Sequence, residues 1–288
     1  MKNLAWIDGT ICDINEAKVP IEDRGYLFGD GVYDVVKIYN GRPFYLQAHL
    51  ERLQRSANAI EIEIPYALPE IEKSIESLMK QSNCTDGYLY MQVTRGSAPR
   101  GHLFPLGNSP TMIMYVRSYE GSLHSEQIES ADCITLPDER WLNCYIKSIN
   151  LLPNVYALQK AYEAGAAEAI LYRSDGTVTE GTRTNVFAVI DGTVRTHPQS
   201  KLILTGITRN IVLDLLSQLE VPVLEKAFSV DDLKHASEVW TTSTGLEIMP
   251  VSRIDGRAVK EFSTGPICKS LIDEFRKKVQ AECYAGGS

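Results

Sequence analysis

The sequence lacks the features of secreted, membrane-spanning and metal-stapled proteins. No stretch approaches the roughly 18 apolar residues of a membrane helix, and residues 1–8 lack the apolar run of a signal peptide. The six cysteines are scattered and form no C-x-x-C pair, which argues against a zinc site and against a disulfide framework. Unpaired cysteines are typical of a reducing compartment, so we expect a cytoplasmic protein without a metal.

Basic residues are also in short supply. Lys and Arg number 29 against 37 Asp and Glu, which gives a formal net charge of -8, and no basic cluster overrides this balance. The charge argues against nucleic acid and against anionic membranes as partners. The remaining composition, 44% hydrophobic and 23% charged over 288 residues, suits a globular protein of about two domains.

Signals for hairpins and helices are interspersed along the chain. Five Asx-Gly pairs each separate two strand-like runs, as in tight hairpins: Asp8-Gly9, Asn40-Gly41, Asp175-Gly176, Asp191-Gly192 and Asp255-Gly256. Apolar residues at helical spacing predict amphipathic helices, one of which begins at Leu46 and carries His49 and Arg52 off its apolar stripe. There is no G-x-G-x-x-G motif and no internal repeat. This arrangement indicates an α+β fold rather than a doubly wound sheet.

The succession of predicted strands and helices is interrupted at residues 120–122, where we place a domain boundary. This gives a small N-terminal domain, residues 1–120, and a larger C-terminal domain, residues 121–284. Residues 285–288 have the composition of a tail or a cloning remnant. Within the second domain, residues 144–147 are predicted to form a strand. Residues 154–164 are predicted to form a helix that turns Val155, Leu158 and Tyr162 inward.

One lysine lies inside an otherwise apolar and small-polar stretch, Trp141–Leu152. Cys144, Ile146 and residues 149–152 are expected to cover most of the surface around Lys147. A buried ammonium is costly, and a neutral, desolvated amine is what a Schiff-base lysine must be. The alternative is an edge-strand lysine whose amine reaches water.

Further candidates each have an ordinary alternative. Glu180 follows a strand and precedes Gly181. It is a candidate catalytic carboxylate, and the alternative is a solvated carboxylate in a turn. Thr208 lies in the first turn of a helix, where backbone N–H groups bind anions or where a simple N-cap forms. Thr244, in a Ser-Thr-Gly turn, suits a phosphate cradle or a polar turn. Arg52 suits a phosphate clamp or a surface ion pair.

Five segments, three of which contain Lys147, Glu180 and Thr208, resemble the fold-type IV, or class IV, aminotransferases, which use pyridoxal 5'-phosphate (PLP). The segments are Glu22–Tyr33, Val93–His102, Ile146–Ser148, Val178–Phe187 and Gly206–Arg209, and the resemblance runs from about Ile7 to Phe275. The Arg100-x-His102 pair resembles the D-amino acid branch of the family. The resemblance implies a small α/β domain, a larger domain with a β-barrel-like core, and a cofactor at the domain interface.

The resemblance also implies a role for each candidate at the cofactor. Lys147 would form the Schiff base and move the proton between the substrate and the cofactor, and Glu180 would keep the pyridine nitrogen protonated. The phosphate would be held by Arg52, Ile207, Thr208 and Thr244. Leu204 would pack on the ring.

The substrate α-carboxylate would be bound by Tyr33, Arg100 and His102, with the last two reaching in from the other subunit of a homodimer that shares its active sites. Arginine supplies a planar fork for a carboxylate, and tyrosine and histidine supply further donors. The alternatives are a solvent-facing loop for Arg100 and His102 and a half-buried strand tyrosine for Tyr33.

The function implied is transamination between D-amino acids, such as D-alanine or D-glutamate, and 2-oxo acids such as 2-oxoglutarate. Branched-chain L-amino acid transaminases, (R)-amine transaminases and aminodeoxychorismate lyases share the fold and remain alternatives. A non-catalytic PLP binder and an interaction scaffold are alternatives of another class. Where the D-amino acid enzymes carry a serine run, this chain has Thr182-Arg183-Thr184. Arg183 would narrow the side-chain range or favour acidic side chains.

Overall fold

The computed structural model describes residues 2–118, 130–259 and 264–284. These residues form two compact units. The first combines residues 2–118 with 146–150 and 279–284, and the second combines residues 130–145 with 151–259 and 264–278. The expected boundary between residues 120 and 121 and the expected tail, residues 285–288, lie outside the described residues. The domain bounds therefore stay a prediction.

The first unit is built on an antiparallel six-stranded sheet with strand order β2-β1-β6-β5-β3-β4. Its strands are β1 Leu4–Ile7, β2 Thr10–Asp13, β3 Gly31–Tyr39, β4 Arg42–Pro43, β5 Gly87–Thr94 and β6 Thr111–Ser118. Its helices are α1 Arg24–Phe28, α2 Leu46–Ala59 and α3 Leu68–Ser82, and a π-helical turn, Gln280–Tyr284, also belongs to it. The apolar stripes of α2 and α3 form one core with the sheet, around residues such as Leu50, Leu53 and Ile75.

The predicted hairpins of this unit are confirmed. Asp8 and Gly9 have φ angles of 42° and 96°, and Asn40 and Gly41 have φ angles of 48° and 73°. Positive φ at both central residues matches the right-handed twist of the flanking strands, which is why Asx-Gly pairs are found there.

The second unit is built on a nine-stranded mixed sheet. Eight strands follow the order β12-β11-β10-β13-β14-β7-β8-β9, and β15 pairs with β14. The strands are β7 Ala131–Pro137, β8 Glu168–Tyr172, β9 Val178–Gly181, β10 Asn185–Ile190, β11 Thr193–Thr196, β12 Val223–Glu225, β13 Glu238–Ser243, β14 Glu247–Ile254 and β15 Arg257–Ala258. The helices are α4 Leu152–Glu163, α5 Ile207–Gln218, α6 Val230–Lys234 and α7 Pro266–Val279.

The second sheet curls on itself. Strand β9, at the end of the order, lies beside β10, which pairs with β11 and β13 nearer the other end. The core inside this partly closed barrel contains residues such as Val178, Val186 and Val239. The predicted α+β class with a barrel-like core is confirmed. In the described parts of the chain, no helix is both long and apolar enough to cross a lipid bilayer.

Two local expectations, on residues 144–147 and on helix α4, are wrong. Residues 144–147 form a turn, and only Ser148 makes a bridge, to Val32. Helix α4 exposes Val155 and Tyr162, at 60% and 76%, because its buried residue is the small Ala161. Helix α2 buries two charged or polar residues that lie off its apolar stripe, His49 and Arg52. A buried carboxylate satisfies both side chains, which the apolar pattern does not reveal.

Candidate active site

Lys147 is held by backbone hydrogen bonds to strand β3 and helix α2. The backbone N–H of Tyr33 donates to the carbonyl oxygen of Lys147 at 3.0 Å. The backbone N–H of Lys147 donates to Ser56 Oγ, on α2, at 3.2 Å. The Nζ of Lys147 lies 4.3 Å from the ring centroid of Tyr33, so the amine and the phenol share one small region of the first unit.

Glycines allow this approach of the lysine segment. A Cβ on Gly31 would lie 2.7 Å from the carbonyl oxygen of Val93 and 3.0 Å from Ile149 Cδ1. Gly29 has φ of +67° and packs on Asn150, where a Cβ would come within 3.3 Å. Gly29 and Gly31 therefore let the chain pack closely on the segment that follows Lys147.

The expected cover of Lys147 is only partly present. Cys144 and Ile146 are buried, but Lys147 is half-buried and Leu152 is 76% exposed. The difference arises because the segment is a turn with a single bridge residue and not a strand. The amine consequently packs on the Tyr33 ring.

A buried charged cluster lies beside Tyr33. Asp34, which is fully buried, accepts hydrogen bonds from Arg52 Nε and Nη2, both at 2.8 Å, and lies 2.7 Å from His49 Nδ1. Burial by itself would raise the pKa of Asp34, but the Arg52 guanidinium and His49 hold that pKa well below its usual range. Burial lowers the pKa of His49, against the pull of Asp34. Asp34 thus fixes the fork of Arg52 in one orientation.

Glu180 is a fully enclosed carboxylate in the second unit. It accepts hydrogen bonds from Arg140 Nη1 at 2.6 Å, from Asn185 Nδ2 at 2.9 Å and from the backbone N–H of Leu204 at 2.9 Å. Burial raises the pKa of Glu180 to about 6, and the Arg140 guanidinium opposes that rise. The alternative of a solvated turn carboxylate is excluded, since Glu180 is 4% exposed.

Sequence reasoning missed Arg140, which is the ionic partner of Glu180. Arg140 also forms two hydrogen bonds to Asp138, through Nε and Nη2, each at 2.9 Å. Asp138 accepts a further hydrogen bond from Thr179 Oγ1 at 2.7 Å. Asp138 and Arg140 lie in an irregular segment after β7, where neither periodicity nor a motif marks them. The guanidinium favours the charged form of Glu180 in a buried setting, because it supplies an opposite charge.

The amino terminus of helix α5 has the features of an anion-binding site. Gly206 precedes the helix, and within the described residues no side chain caps its first turn. Ile207 and Thr208 begin the helix, where the first backbone N–H groups have no intrahelical acceptor. A Cβ on Gly206 would collide with Asn185 Oδ1, so glycine is required here.

Leu204 and Thr244 lie in the same unit. Leu204 is tied to Glu180 through its backbone N–H and to Asn185 Nδ2 through its carbonyl oxygen, at 2.8 Å. Thr244 is half-buried in the turn after β13, a turn closed by the Leu246 N–H on Ser243 Oγ at 3.0 Å.

Arg100 and His102 meet on the ring of Phe28. The Arg100 guanidinium lies 5.2 Å from that ring centroid, and the His102 ring centroid lies 5.6 Å from it. Arg24 Nη1 donates to the carbonyl oxygen of Gly101 at 2.6 Å and so shapes the loop between them. Both side chains are exposed, and among the described residues neither forms a hydrogen bond with Tyr33.

Comparison with known families accounts for this set of residues. The family model described as amino-transferase class IV matches residues 31–254, which is most of the chain. The chain belongs to the class IV aminotransferases. It is therefore a PLP-dependent aminotransferase, as the resemblance implied.

Relatives of this aminotransferase cover nearly its whole length. It is 43% identical over 275 residues to the D-alanine aminotransferase of Bacillus licheniformis, with 96% of each chain covered. It is 40% identical over 277 residues to the D-alanine aminotransferase of Staphylococcus epidermidis, with 96% of this chain and 98% of the relative covered. The solved branched-chain aminotransferase of Thermoproteus uzoniensis with norvaline has a TM-score of 0.86 at 28% identity, covering 98% of this chain and 96% of that one.

The chemistry of the class IV aminotransferase residues fits the three binding groups of PLP. A primary amine, Lys147, suits the aldehyde, and a buried carboxylate, Glu180, suits a protonated ring nitrogen. The phosphate suits the first turn of α5, because, among the described residues, no side chain caps the backbone N–H groups there.

Proposed function

We propose that this class IV aminotransferase transfers the amino group of D-amino acids, of the D-alanine and D-glutamate type, to 2-oxo acids such as 2-oxoglutarate. The observation that carries the proposal is the identity of about 40% over 96% of the chain to D-alanine aminotransferases. The branched-chain structure that resembles it is only 28% identical. The Arg100-Gly101-His102 loop, with the side chains of Arg100 and His102 on Phe28, supports the same assignment.

Lys147 is the catalytic residue of this proposal. Bound PLP supplies a ring that withdraws electrons from the substrate Cα. Lys147 would hold the cofactor through Nζ, and Nζ would then accept the proton from the substrate Cα and donate it later in the same half-reaction. The contact of Nζ with the face of the Tyr33 ring and the two backbone hydrogen bonds of Lys147 support this role, because they fix where the amine lies.

Glu180 holds the proton on the ring nitrogen. A carboxylate that is buried beside Arg140 favours a positive charge on a nearby ring. Arg52, the backbone at Ile207 and Thr208, and the hydroxyl of Thr244 bind the phosphate, and Leu204 packs on the ring. Asp34 supports the part played by Arg52, because it orients the guanidinium.

Tyr33, Arg100 and His102 bind the substrate α-carboxylate, with the last two supplied by the second subunit of a homodimer. Exposed large apolar side chains support a second copy of the chain as the partner. In the first unit, Leu103 and Leu106 are 88% and 101% exposed next to His102. Clustered apolar side chains at a surface mark interaction sites. The scattered free cysteines support a cytoplasmic location.

Paired enantiomers test the proposal. The holoenzyme is mixed with D-alanine, D-glutamate, L-leucine or L-alanine in the absence of acceptor, and the absorbance of the protein-bound cofactor is followed. We expect the absorbance to change with the D-amino acids and to recover on addition of 2-oxoglutarate. A response to L-leucine without a response to D-alanine would favour the branched-chain function, which the solved structures of that name support.

A further inference from the structure

The turn that follows Glu180 is tied back to Glu180 itself. Asn185 Nδ2 donates to Glu180 Oε2 at 2.9 Å, and the Gly181 N–H donates to the carbonyl oxygen of Thr184 at 2.7 Å. The four residues between Glu180 and Asn185 therefore form a closed loop on the carboxylate. Arg183 is three residues from Glu180, so its Cα lies within roughly 11 Å of the Cα of Glu180.

A second carboxylate, that of Glu168, holds this turn through hydrogen bonds. Glu168, which is 2% exposed, accepts hydrogen bonds from the N–H and Oγ1 of Thr182 and from Thr184 Oγ1 at 3.1 Å. Asn154 Nδ2, from helix α4, donates to the carbonyl oxygen of Thr182 at 2.6 Å. A Cβ on Gly181 would collide with Thr184 Oγ1 and press on Glu168, so only glycine fits this position of the turn.

Arg183 is the residue of this turn whose side chain is exposed to solvent. Thr182 and Thr184 are buried and face Glu168, whereas Arg183 between them is exposed. Within the described parts of the chain, Arg183 has no hydrogen-bond or ion-pair partner. A rigid turn that holds an arginine without a partner beside a catalytic carboxylate provides a fixed fork for an anionic group.

We propose that Arg183 is a specificity-determining residue that binds the second carboxylate of dicarboxylic substrates, and that Glu168 is its positioning residue. The inference rests on the proposed function. It names the substrate class that the enzyme favours, D-glutamate and 2-oxoglutarate over D-alanine and pyruvate. A monocarboxylic substrate makes no use of the guanidinium, so the two classes separate the role of Arg183 from general effects on catalysis.

The test is the selectivity ratio, kcat/KM for D-glutamate divided by kcat/KM for D-alanine. In Arg183→Ala we expect this ratio to fall about 10- to 100-fold, the effect of removing a charge-assisted hydrogen bond. Arg183→Lys keeps the charge without the fork, so the ratio should fall less. The matched control is Arg257→Ala, since Arg257 is an exposed arginine on β15 of the same unit. An unchanged ratio in Arg183→Ala would overturn the inference.

Glu168→Gln tests positioning. It should lower the selectivity ratio when Arg183 is present. In the Arg183→Ala background it should leave the ratio unchanged, because the turn then no longer carries the guanidinium. Equal losses for both substrates in Glu168→Gln would show a purely structural role and overturn that part of the inference. Additive losses of the ratio in the double variant would do so as well.

Equilibrium binding gives a readout apart from turnover. Calorimetric titration of the holoenzyme with glutarate and with butyrate should show a preference for glutarate that Arg183→Ala removes. Equal affinities of the unmodified enzyme for the two acids would count against the inference. A wild-type enzyme that accepts neither D-glutamate nor D-alanine would refute the proposed function and this inference with it. Turnover of both with an Arg183-independent ratio would refute the inference alone.

Discussion

Among individual side chains, Lys147 and Glu180 combine reactive groups with fixed surroundings. The lysine is half-buried over the Tyr33 ring, and the glutamate is enclosed by three hydrogen-bond donors. Pre-organised groups of this kind act without reorganising during the reaction. Both residues stand out in the sequence only through their neighbours, since lysine and glutamate are common surface residues.

Replacement of the lysine should abolish transamination. We expect Lys147→Ala to lose turnover, because no other amine is placed to hold the cofactor and move the proton among the residues that the structure describes. Lys73→Ala is the matched control, since Lys73 is exposed on α3. Borohydride reduction of the holoenzyme followed by peptide mapping should place the label on Lys147. Multiple turnover in Lys147→Ala, or a label on another lysine, would contradict the assignment.

Glu180 makes both activity and stability depend on pH. Its carboxylate is the working form, so the rate should fall at low pH as Glu180 becomes protonated. In the cofactor-free protein the effect on stability has the opposite sign. The folded pKa is raised from 4.5, so the contribution of protonated Glu180 is present below pH 4.5 and is lost as the pH rises through about 6. The loss amounts to about 2 kcal/mol.

Glu180→Gln separates these effects. The proton shift should slow by about 10²-fold, the scale of a positioned acid–base group. Denaturant unfolding of the cofactor-free protein from pH 4.5 to 7 should show the loss in the wild type and not in the variant. A variant with the same rate and the same pH dependence as the wild type would mean that Glu180 is not the partner of the ring nitrogen.

Among the helices, α2 shows how a helix can serve the core and the site at once. Its apolar stripe packs on the sheet, while His49 and Arg52 reach the buried Asp34. A buried charge cluster is strongly destabilised when one partner is removed, because the remaining charge stays desolvated. The helix is thereby fixed to β3, the strand that also holds Lys147 through Tyr33.

Asp34→Asn should therefore lower the free energy of unfolding by about 3–5 kcal/mol. Glu51→Gln on the exposed face of α2 is the control and should change it by less than about 0.5 kcal/mol, since Glu51 pairs weakly with Arg55 at 3.9 Å. Because the pKa of Asp34 is lowered, this stabilisation is present above its ordinary pKa of 3.8 and is lost as the pH falls further. Equal denaturation midpoints for the two variants would contradict the role of the cluster.

At the scale of the molecule, the exposed apolar residues support the proposed homodimer. Helix α4, expected to turn Val155 and Tyr162 inward, exposes them together with Leu152 and Tyr156. In the first unit, the loop that contains Leu103 and Leu106 exposes both leucine side chains. A chain that leaves such side chains exposed to water is expected to cover them with a partner.

Introducing a charge at this loop tests the homodimer. Leu103→Asp should weaken self-association and lower activity in parallel, because the loop carries Arg100 and His102. Leu224→Asp, on the edge strand β12, replaces an exposed leucine away from the site and should alter neither. Sedimentation velocity over a dilution series gives the oligomeric state at each activity. A fully active monomer would contradict the shared active site.

The sequence by itself determined the α+β class, the hairpins at Asp8-Gly9 and Asn40-Gly41, and helices α2 and α3. These features depend on local backbone preferences and on apolar periodicity, which neighbouring residues encode. The candidate residues themselves were also readable from the sequence, because five motifs occur in family order.

Only the tertiary structure decided what those residues touch. Arg140 reaches Glu180 from 40 positions away, Asp34 turns two residues of α2 inward, and Glu168 holds the turn of Arg183. The wrong strand at residues 144–147 and the wrong face of α4 have the same origin. A buried polar contact, or the face by which a helix packs, is set by groups distant in the chain, and no local pattern records it.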